Sequence, residues 1–357
     1  MTIRDRADRA LALAKAESGS LLITSPHDVR WITGFTGSHA WLVASRDEMC
    51  LLTDGRYLDQ ARSQTNDGIE VRLCRTSRDM IDAVVSSTLG VLHVDESVLD
   101  VATWRSLCRS LDRFPSPAST DLADLRRQKS PEEIRSISRA ADIASDALAH
   151  CLAMIEPGTT EKRLRDALES RMRELGADGP SYDTIVASGP SNSARPHHQP
   201  TDRKFEKGDA LVIDVGALLD GYHSDMTRTF FVGGDPDPEL LSWYAYLLEA
   251  QEAAIAVVEP GRPVGDVDEV ARTILRLHGV DQWFTHGLGH GVGLLIHENP
   301  FLRAASDVVL RAGDVVTIEP GLYREGLGGI RIEDLLLVGE SSTVNLTKAP
   351  KDPICPR

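Results

Sequence analysis

The sequence predicts a two-domain α/β (α+β) chain, and three features carry that reading: length, a helix start at residues 130–133, and an internal echo beyond it. At 357 residues the chain is long enough for two ordinary domains. Hydrophobic residues make up 41% and charged residues 26%, the balance of a globular rather than a disordered chain. Residues 1–126 are the expected first domain and residues 127–357 the second.

The elements follow in order. Met1 to Glu17 is a charged stretch with Leu11, Leu13 and Ala14 at helical spacing. It lacks the continuous apolar run of a secretory signal. Leu21–Thr24, Ala40–Val43, Cys50–Thr53 and Val91–Val94 are apolar runs of strand length. Thr36-Gly37-Ser38 and Asp54-Gly55 supply turns. Phe114-Pro115-Ser116-Pro117 breaks the pattern, and Asp121 to Gln128 reads as a polar connection. Ser130-Pro131-Glu132-Glu133 then gives an N-cap serine, a proline at the first helical position and a glutamate at the third, which is a capping box. Ile134, Ile137, Ala141, Leu148 and Leu152 continue at helical spacing, so the domain boundary is expected near residues 124–129.

The second domain repeats itself. Glu156-Pro157-Gly158 recurs as Glu259-Pro260-Gly261, each after a helix-like segment. An offset of 105 then matches Gly208 to Gly313, Asp209 to Asp314, Ile213 to Ile318, Asp214 to Glu319 and Gly216 to Gly321. Matches that keep their order point to two related α-then-β halves. A site between such halves receives one acidic strand from each.

Asp214 lies in the apolar run Leu211–Ala217, and Asp220-Gly221 downstream is a two-residue hairpin signal. That loop pairs residue 219 with 222 and 216 with 225. Side-chain alternation then puts Asp214 and Asp225 on one face as diagonal neighbours, roughly 7 Å apart at the backbone. Carboxylates so placed repel each other unless a cation lies between them. Two solvated aspartates on an exposed strand are the plain alternative, and the apolar neighbours of Asp214 argue against it. Val315–Glu319 and Ile330–Glu333 also read as strands, with a turn within Gly326–Gly329. A reversal near residue 326 brings Glu319 opposite Glu333, with Arg331 on the same face and able to hold a metal-bound carboxylate from behind.

His286, His290 and His297 fall within twelve residues between these hairpins. The surrounding glycines oppose a helical zinc pair and suit an extended, tightly packed segment. One neutral imidazole can complete a carboxylate-rich site, leaving the others for proton transfer. His197 and His198 lie in a Pro/Gly loop upstream, the kind of segment that carries site residues. Four carboxylates and one imidazole suit two divalent cations, whose charge the carboxylates balance. Oxygen-rich ligation favours Mn²⁺, with Co²⁺, Zn²⁺ and Fe²⁺ as alternatives. Two metals with a bridging hydroxide can supply a nucleophile and polarise a carbonyl.

Bulk properties narrow the partners. The net charge of −15 opposes a nucleic-acid partner and offers no basic face to an anionic membrane. The five cysteines, Cys50, Cys74, Cys108, Cys151 and Cys355, are scattered and form no C-x-x-C, so reduced thiols are expected rather than a disulfide framework or thiolate zinc site. No run approaches the roughly 18 apolar residues of a membrane span. The expected location is the cytoplasm.

Ile213-Asp214-Val215-Gly216 with Ser224-Asp225-Met226-Thr227-Arg228-Thr229, His286-Gly287-Leu288-Gly289-His290-Gly291, Ile318-Glu319-Pro320-Gly321 and Ile330-Arg331-Ile332-Glu333-Asp334 resemble the pita-bread metallopeptidases. That is the family of aminopeptidase P, prolidase and methionine aminopeptidase. Arg30–Ser38 and Leu52–Tyr57 are similar to the creatinase-type N-terminal domain of Xaa-Pro peptidases, which methionine aminopeptidases generally lack. The resemblance spans nearly the whole chain. It implies a creatinase-like domain over 1–126 and a pita-bread catalytic domain with a pseudo-twofold repeat over 127–357. It also implies that Asp214 binds one metal, that His290 and Glu319 bind the other, and that Asp225 and Glu333 bridge both. His197, His286 and His297 then position substrate and stabilise the intermediate, and Glu319 also acts as base. The implied reaction is hydrolysis of the bond between an N-terminal residue and proline in dipeptides or short peptides, by a homodimer. Proline lacks the amide N–H, so its recognition needs a dedicated site. These motifs do not separate aminopeptidase P from prolidase. Two other readings stay open. One is an enzyme of this fold acting on a non-peptide, either a creatinase-like hydrolase, which the full ligand set disfavours, or a sulfonium lyase. The other is a non-catalytic peptide-binding module, whose known forms are larger and lose ligands.

Overall fold

A computed structural model describes residues 2–16, 18–118 and 122–354. Met1, Glu17, Asp121 and Cys355, which entered the sequence reading, lie outside the described residues. The chain divides into two compact units, Met1–Arg126 and Arg127–Arg357. Among the described residues no helix is long and apolar enough to cross a membrane.

The first unit is a six-stranded mixed sheet with helices. Its strand order is Ile69–Leu73, Glu48–Thr53, Ala40–Ser45, Ser20–Ile23, Leu92–Val94 and Ser116–Pro117. The helices Pro26–Thr33 and Ser77–Ser87 went unnoticed in the sequence, although both carry start signals. Ser25 caps the first, with its Oγ accepting from Asp28 N at 3.3 Å and a proline at the first turn. Thr76 and Asp79 form a capping box at the second. The expected break at Phe114–Pro117 proves to hold a two-residue strand, pairing His93 with Ser116 and Val94 with Pro117. Pro117 fits because it lies on the sheet edge, where a missing N–H disturbs no ladder. The connection expected to be merely polar contains the helix Leu122–Leu125 and two buried arginines. Arg126 Nε sits 2.5 Å from Asp28 Oδ1, and Arg127 Nη2 sits 2.7 Å from Asp314 Oδ2. Pairing is what lets such groups be buried.

The second unit is built twice. Pro131–Cys151 and Glu161–Glu174 are the helices of one half, Pro238–Ala256 and Val264–Leu277 those of the other, and each pair packs on its own apolar core. The echo persists at the level of single hydrogen bonds. Gly158 N donates to Phe205 O at 2.9 Å, and Gly261 N to Leu310 O at 2.8 Å. Gly208 and Gly313 have φ of 88° and 91°. Asp209 and Asp314 each accept from the backbone N–H three residues earlier, at 2.8 Å in both cases. The strand set Ile185–Ser188, Ala210–Asp214, Thr227–Phe231 in one half matches Gly289–Gly291, Val315–Ile318, Asp334–Val338 in the other.

Each half ends in a long hairpin that changes sheets midway. Asp220 and Gly221, with φ of 50° and 71°, make the turn that their sequence signals. Leu219 pairs with Tyr222 there, and the same register continues to Asp214 against Thr227. In the second hairpin Arg324 pairs with Gly328, Gly321 with Arg331, and then Ile318 with Asp334. Continued without a slip, these registers set 216 against 225 and 319 against 333. Gly216 is required at the crossover, since a Cβ there would lie 1.9 Å from Ser224 O.

The start of Pro131–Cys151 makes this fold testable. Ser130 Oγ accepts from Glu133 N, and Glu133 Oε2 accepts from Ser130 N at 2.8 Å. Ser130→Ala is expected to remove about 1 kcal/mol of stability. Calorimetry should then show Tm lower by roughly 2–4 °C. An unchanged Tm contradicts the capping role.

Candidate metal centre

Asp214 ends the strand Ala210–Asp214, and Asp225 precedes Thr227–Phe231. Glu319 follows Val315–Ile318, and Glu333 sits between Gly328–Arg331 and Asp334–Val338. All four acids therefore lie where the two hairpins pass from one sheet to the next. His290 enters from Gly289–Gly291, an inner strand flanked on both sides. Its neighbours must be glycine. A Cβ at Gly289 would meet Thr317 O at 2.0 Å, and one at Gly291 would meet Asn299 O at 2.4 Å.

These elements bring every sequence-predicted site residue to one cavity of about 740 Å³: Asp214, Asp225, His290, Glu319 and Glu333, with His197, His286, His297 and Arg331. Ligand atoms of Asp225, His290 and Glu333 lie within 4.8 Å of one another. His290 Nε2 is 3.3 Å from Glu319 Oε1 and 3.6 Å from Asp225 Oδ2. Arg331 Nη2 donates to Asp214 Oδ2 at 2.6 Å, and its Nε donates to Thr227 Oγ1 at 3.0 Å. Thr227 Oγ1 in turn donates to Glu333 Oε2 at 2.7 Å. One arginine and one threonine thus fix the outer oxygens of two acids.

Two tyrosines were missed from sequence. The Tyr182 hydroxyl lies between Asp214 Oδ1 and Asp225 Oδ1, within hydrogen-bond reach of both. The Tyr323 hydroxyl accepts from Arg331 Nη1 at 2.8 Å and stands 3.3 Å from His286 Nε2. Neither sits in a local pattern that signals a site. His286 Nδ1 is 2.8 Å from Gly287 O, which assigns the proton to that nitrogen. The His290 and His297 rings meet edge to face at 4.4 Å between centroids. His198, the companion of His197, turns away and is buried against Glu161.

The electrostatics call for a cation. Burial, and then the charge of the neighbouring acids, pushes the Asp225 and Glu333 carboxyls well above the usual carboxylate range. Burial also opposes the charges of Glu319 and His290. Their mutual hydrogen bond and attraction win, moving Glu319 down and His290 up. Burial lowers His286, and burial with the charge of His290 lowers His297, so both favour the neutral imidazole. Glu333 Oε1 is buried and has no hydrogen-bond partner among the described residues. A buried carboxylate oxygen is ordinarily satisfied. An orphan oxygen within a set of carboxylates and one imidazole fits a divalent metal.

The chain is similar to known proteins along most of its length. Residues 135–340 match the model of metallopeptidase family M24, and residues 6–128 match the creatinase/prolidase N-terminal domain. The uncharacterized peptidase YqhT of Bacillus subtilis (strain 168) is 37% identical over 338 residues, covering 93% of this chain and 94% of its own. The Xaa-Pro dipeptidase from Bacillus anthracis superposes with a TM-score of 0.93 at 33% identity, over 99% of each chain. The X-Pro aminopeptidase from Thermotoga maritima MSB8 gives a TM-score of 0.88 at 33% identity, over 98% of this chain and 99% of that one.

Ionising a group whose folded-state pKa is raised lowers folding stability. The contribution of Asp225 and Glu333 is complete at acid pH and is lost as pH rises past the ordinary carboxylate range. Metal-free protein is therefore expected to melt at progressively lower temperature between about pH 5 and pH 8, with Mn²⁺ reversing the loss. Thermal unfolding across that window, with and without Mn²⁺, checks this. A metal-free Tm that ignores pH and does not respond to Mn²⁺ contradicts it.

Proposed function

Because the chain belongs to metallopeptidase family M24, we propose that it is a two-metal peptidase, working with Mn²⁺, that hydrolyses the Xaa-Pro bond at the N-terminus of dipeptides or short peptides. The observation that carries the metal reading is the orphan Glu333 Oε1 inside the cluster of Asp225, His290 and Glu333. Asp214, Asp225, His290, Glu319 and Glu333 would hold the ions, and their four carboxylates balance two dications. Bound divalent ions supply Lewis acidity toward a peptide carbonyl and lower the pKa of water.

The chain's own residues do the rest. Arg331 and Thr227 orient Asp214 and Glu333. Glu319, kept ionised by His290, is the base. His286, neutral and with its proton held at Nδ1, accepts through Nε2; His297, also neutral, donates or accepts at the reacting amide, and His197 contributes a third imidazole from the cavity wall. Ile185, Ile296 and Phe301 offer apolar surface suited to a pyrrolidine ring. Asp183 and Arg303 also line the cavity, and neither has a hydrogen bond or ion pair among the described residues. Free charges of opposite sign suit the ammonium and carboxylate of a short zwitterionic peptide. The proposal assigns residues 1–126 as the creatinase-like domain and 127–357 as the catalytic domain. It includes the homodimer expected from the resemblance and a cytoplasmic setting, the latter supported by the free thiols of Cys50, Cys74, Cys108 and Cys151.

The test is a panel of Xaa-Pro dipeptides and Xaa-Pro-Yaa peptides with the Mn²⁺-loaded protein. Cleavage at the Xaa-Pro bond is expected, and cleavage of none of them rejects the reading. Asp225→Ala is expected to abolish turnover and lose metal together; a fully active Asp225→Ala enzyme removes the bridging role. Arg303→Met is expected to raise KM for dipeptides by about tenfold, the worth of one charge-assisted contact, while sparing extended peptides. Equal effects on both substrate lengths exclude Arg303 as the carboxylate reader.

A further inference from the structure

A second buried carboxylate lies outside the metal set. Glu161 opens the helix Glu161–Glu174 and has no solvent exposure. Its Oε1 accepts from Ser188 N at 2.8 Å, Ser188 Oγ at 2.7 Å and Asn192 Nδ2 at 3.0 Å. Its Oε2 accepts from Thr201 N at 2.9 Å and Thr201 Oγ1 at 2.7 Å, and lies 2.9 Å from His198 Nε2. All these donors belong to one segment, residues 188–201.

That segment has little regular secondary structure of its own. It holds one short helix, Gly189–Asn192, and among the described residues 196–200 make no backbone–backbone hydrogen bond. It nevertheless carries His197 into the cavity. Its Pro196 O accepts from Arg331 Nη1 at 3.2 Å, and its Ser193 Oγ accepts from Gly329 N at 2.9 Å. The segment is therefore tied to the metal-centre arginine on one side and to Glu161 on the other. His198 directly follows His197, so seating His198 on Glu161 fixes the backbone that presents His197. Burial opposes charge on Glu161, but the converging donors keep its carboxyl below the ordinary range. A single buried anion thus replaces the backbone ladder that the segment lacks.

We propose that Glu161 is a positioning residue for the peptidase reaction, acting through the 188–201 segment to hold His197 in place. This rests on the function proposed above. The alternative is that Glu161 merely stabilises its helix N-terminus. A double-mutant cycle with Glu161→Gln and His197→Ala in the Mn²⁺-loaded full chain separates the two. Glu161→Gln is expected to lower kcat/KM on an Xaa-Pro substrate roughly ten- to a hundredfold with metal content unchanged. In the His197→Ala background the same change is expected to have almost no further effect. Losses that multiply across the cycle overturn the proposal, because a purely structural role acts independently of His197. Should Glu161→Gln fail to fold, Thr201→Val removes one donor only. A smaller loss that vanishes beside His197→Ala supports the proposal, and one that persists in full overturns it. Wild-type protein that cleaves no Xaa-Pro substrate rejects the peptidase reading and this inference with it. A cleaving wild type with independent losses rejects this inference alone.

Discussion

Four carboxylates share one pocket at the junction of two hairpins, and their mutual repulsion is the constraint on which the second unit turns. Asp225 is 6% exposed and Glu333 1%, so water screens them little. The protein answers with fixed partners on the outer side of the pocket. Arg331 and Thr227 hold the outer oxygens of Asp214 and Glu333. Behind Glu333, buried Arg228 donates to Glu333 O at 2.6 Å and to Asp334 Oδ1 at 2.8 Å, and reaches Ala349 O at 2.6 Å. On the inner side Asp214 Oδ1 and Asp225 Oδ1 share the Tyr182 hydroxyl and Glu319 Oε1 has His290, while Glu333 Oε1 has no hydrogen-bond partner among the described residues. A divalent cation in such a pocket would offset the repulsion among its carboxylates.

The duplicated architecture explains why the acids meet. Each half supplies a hairpin that abandons one sheet for another, and each crossover puts a carboxylate at the end of a strand. Asp214 and Glu319 hold equivalent places, and the hairpin registers deliver Asp225 and Glu333 to them. The glycine-rich strand that brings His290 can approach only because Gly289 and Gly291 have no Cβ to collide with Thr317 O and Asn299 O.

Much of the centre was legible in the sequence because its geometry is local. A two-residue Asp-Gly turn fixes pairing, and pairing with the period of two fixes which side chains share a face. The offset of 105 carried the argument from one hairpin to the other. What escaped has no local signal. Tyr182 reaches Asp214 and Asp225 across 32 and 43 residues, and Glu161 reaches Thr201 across 40. In the first unit, the strand at Ser116–Pro117 was hidden because proline's usual effect is suspended at a sheet edge. The buried Arg126 and Arg127 pass for part of a polar connection in the sequence because their aspartate partners are 98 and 187 residues away.

The proposed function requires this pocket to hold two divalent metals between Asp214, Asp225, His290, Glu319 and Glu333. Anomalous diffraction at the manganese edge from crystals equilibrated with Mn²⁺ tests it most directly. The account predicts two peaks in the pocket, each bounded by Asp225 and Glu333, with Asp214 completing one and His290 and Glu319 the other. A pocket with no anomalous peak, or peaks only at other acidic sites, contradicts it.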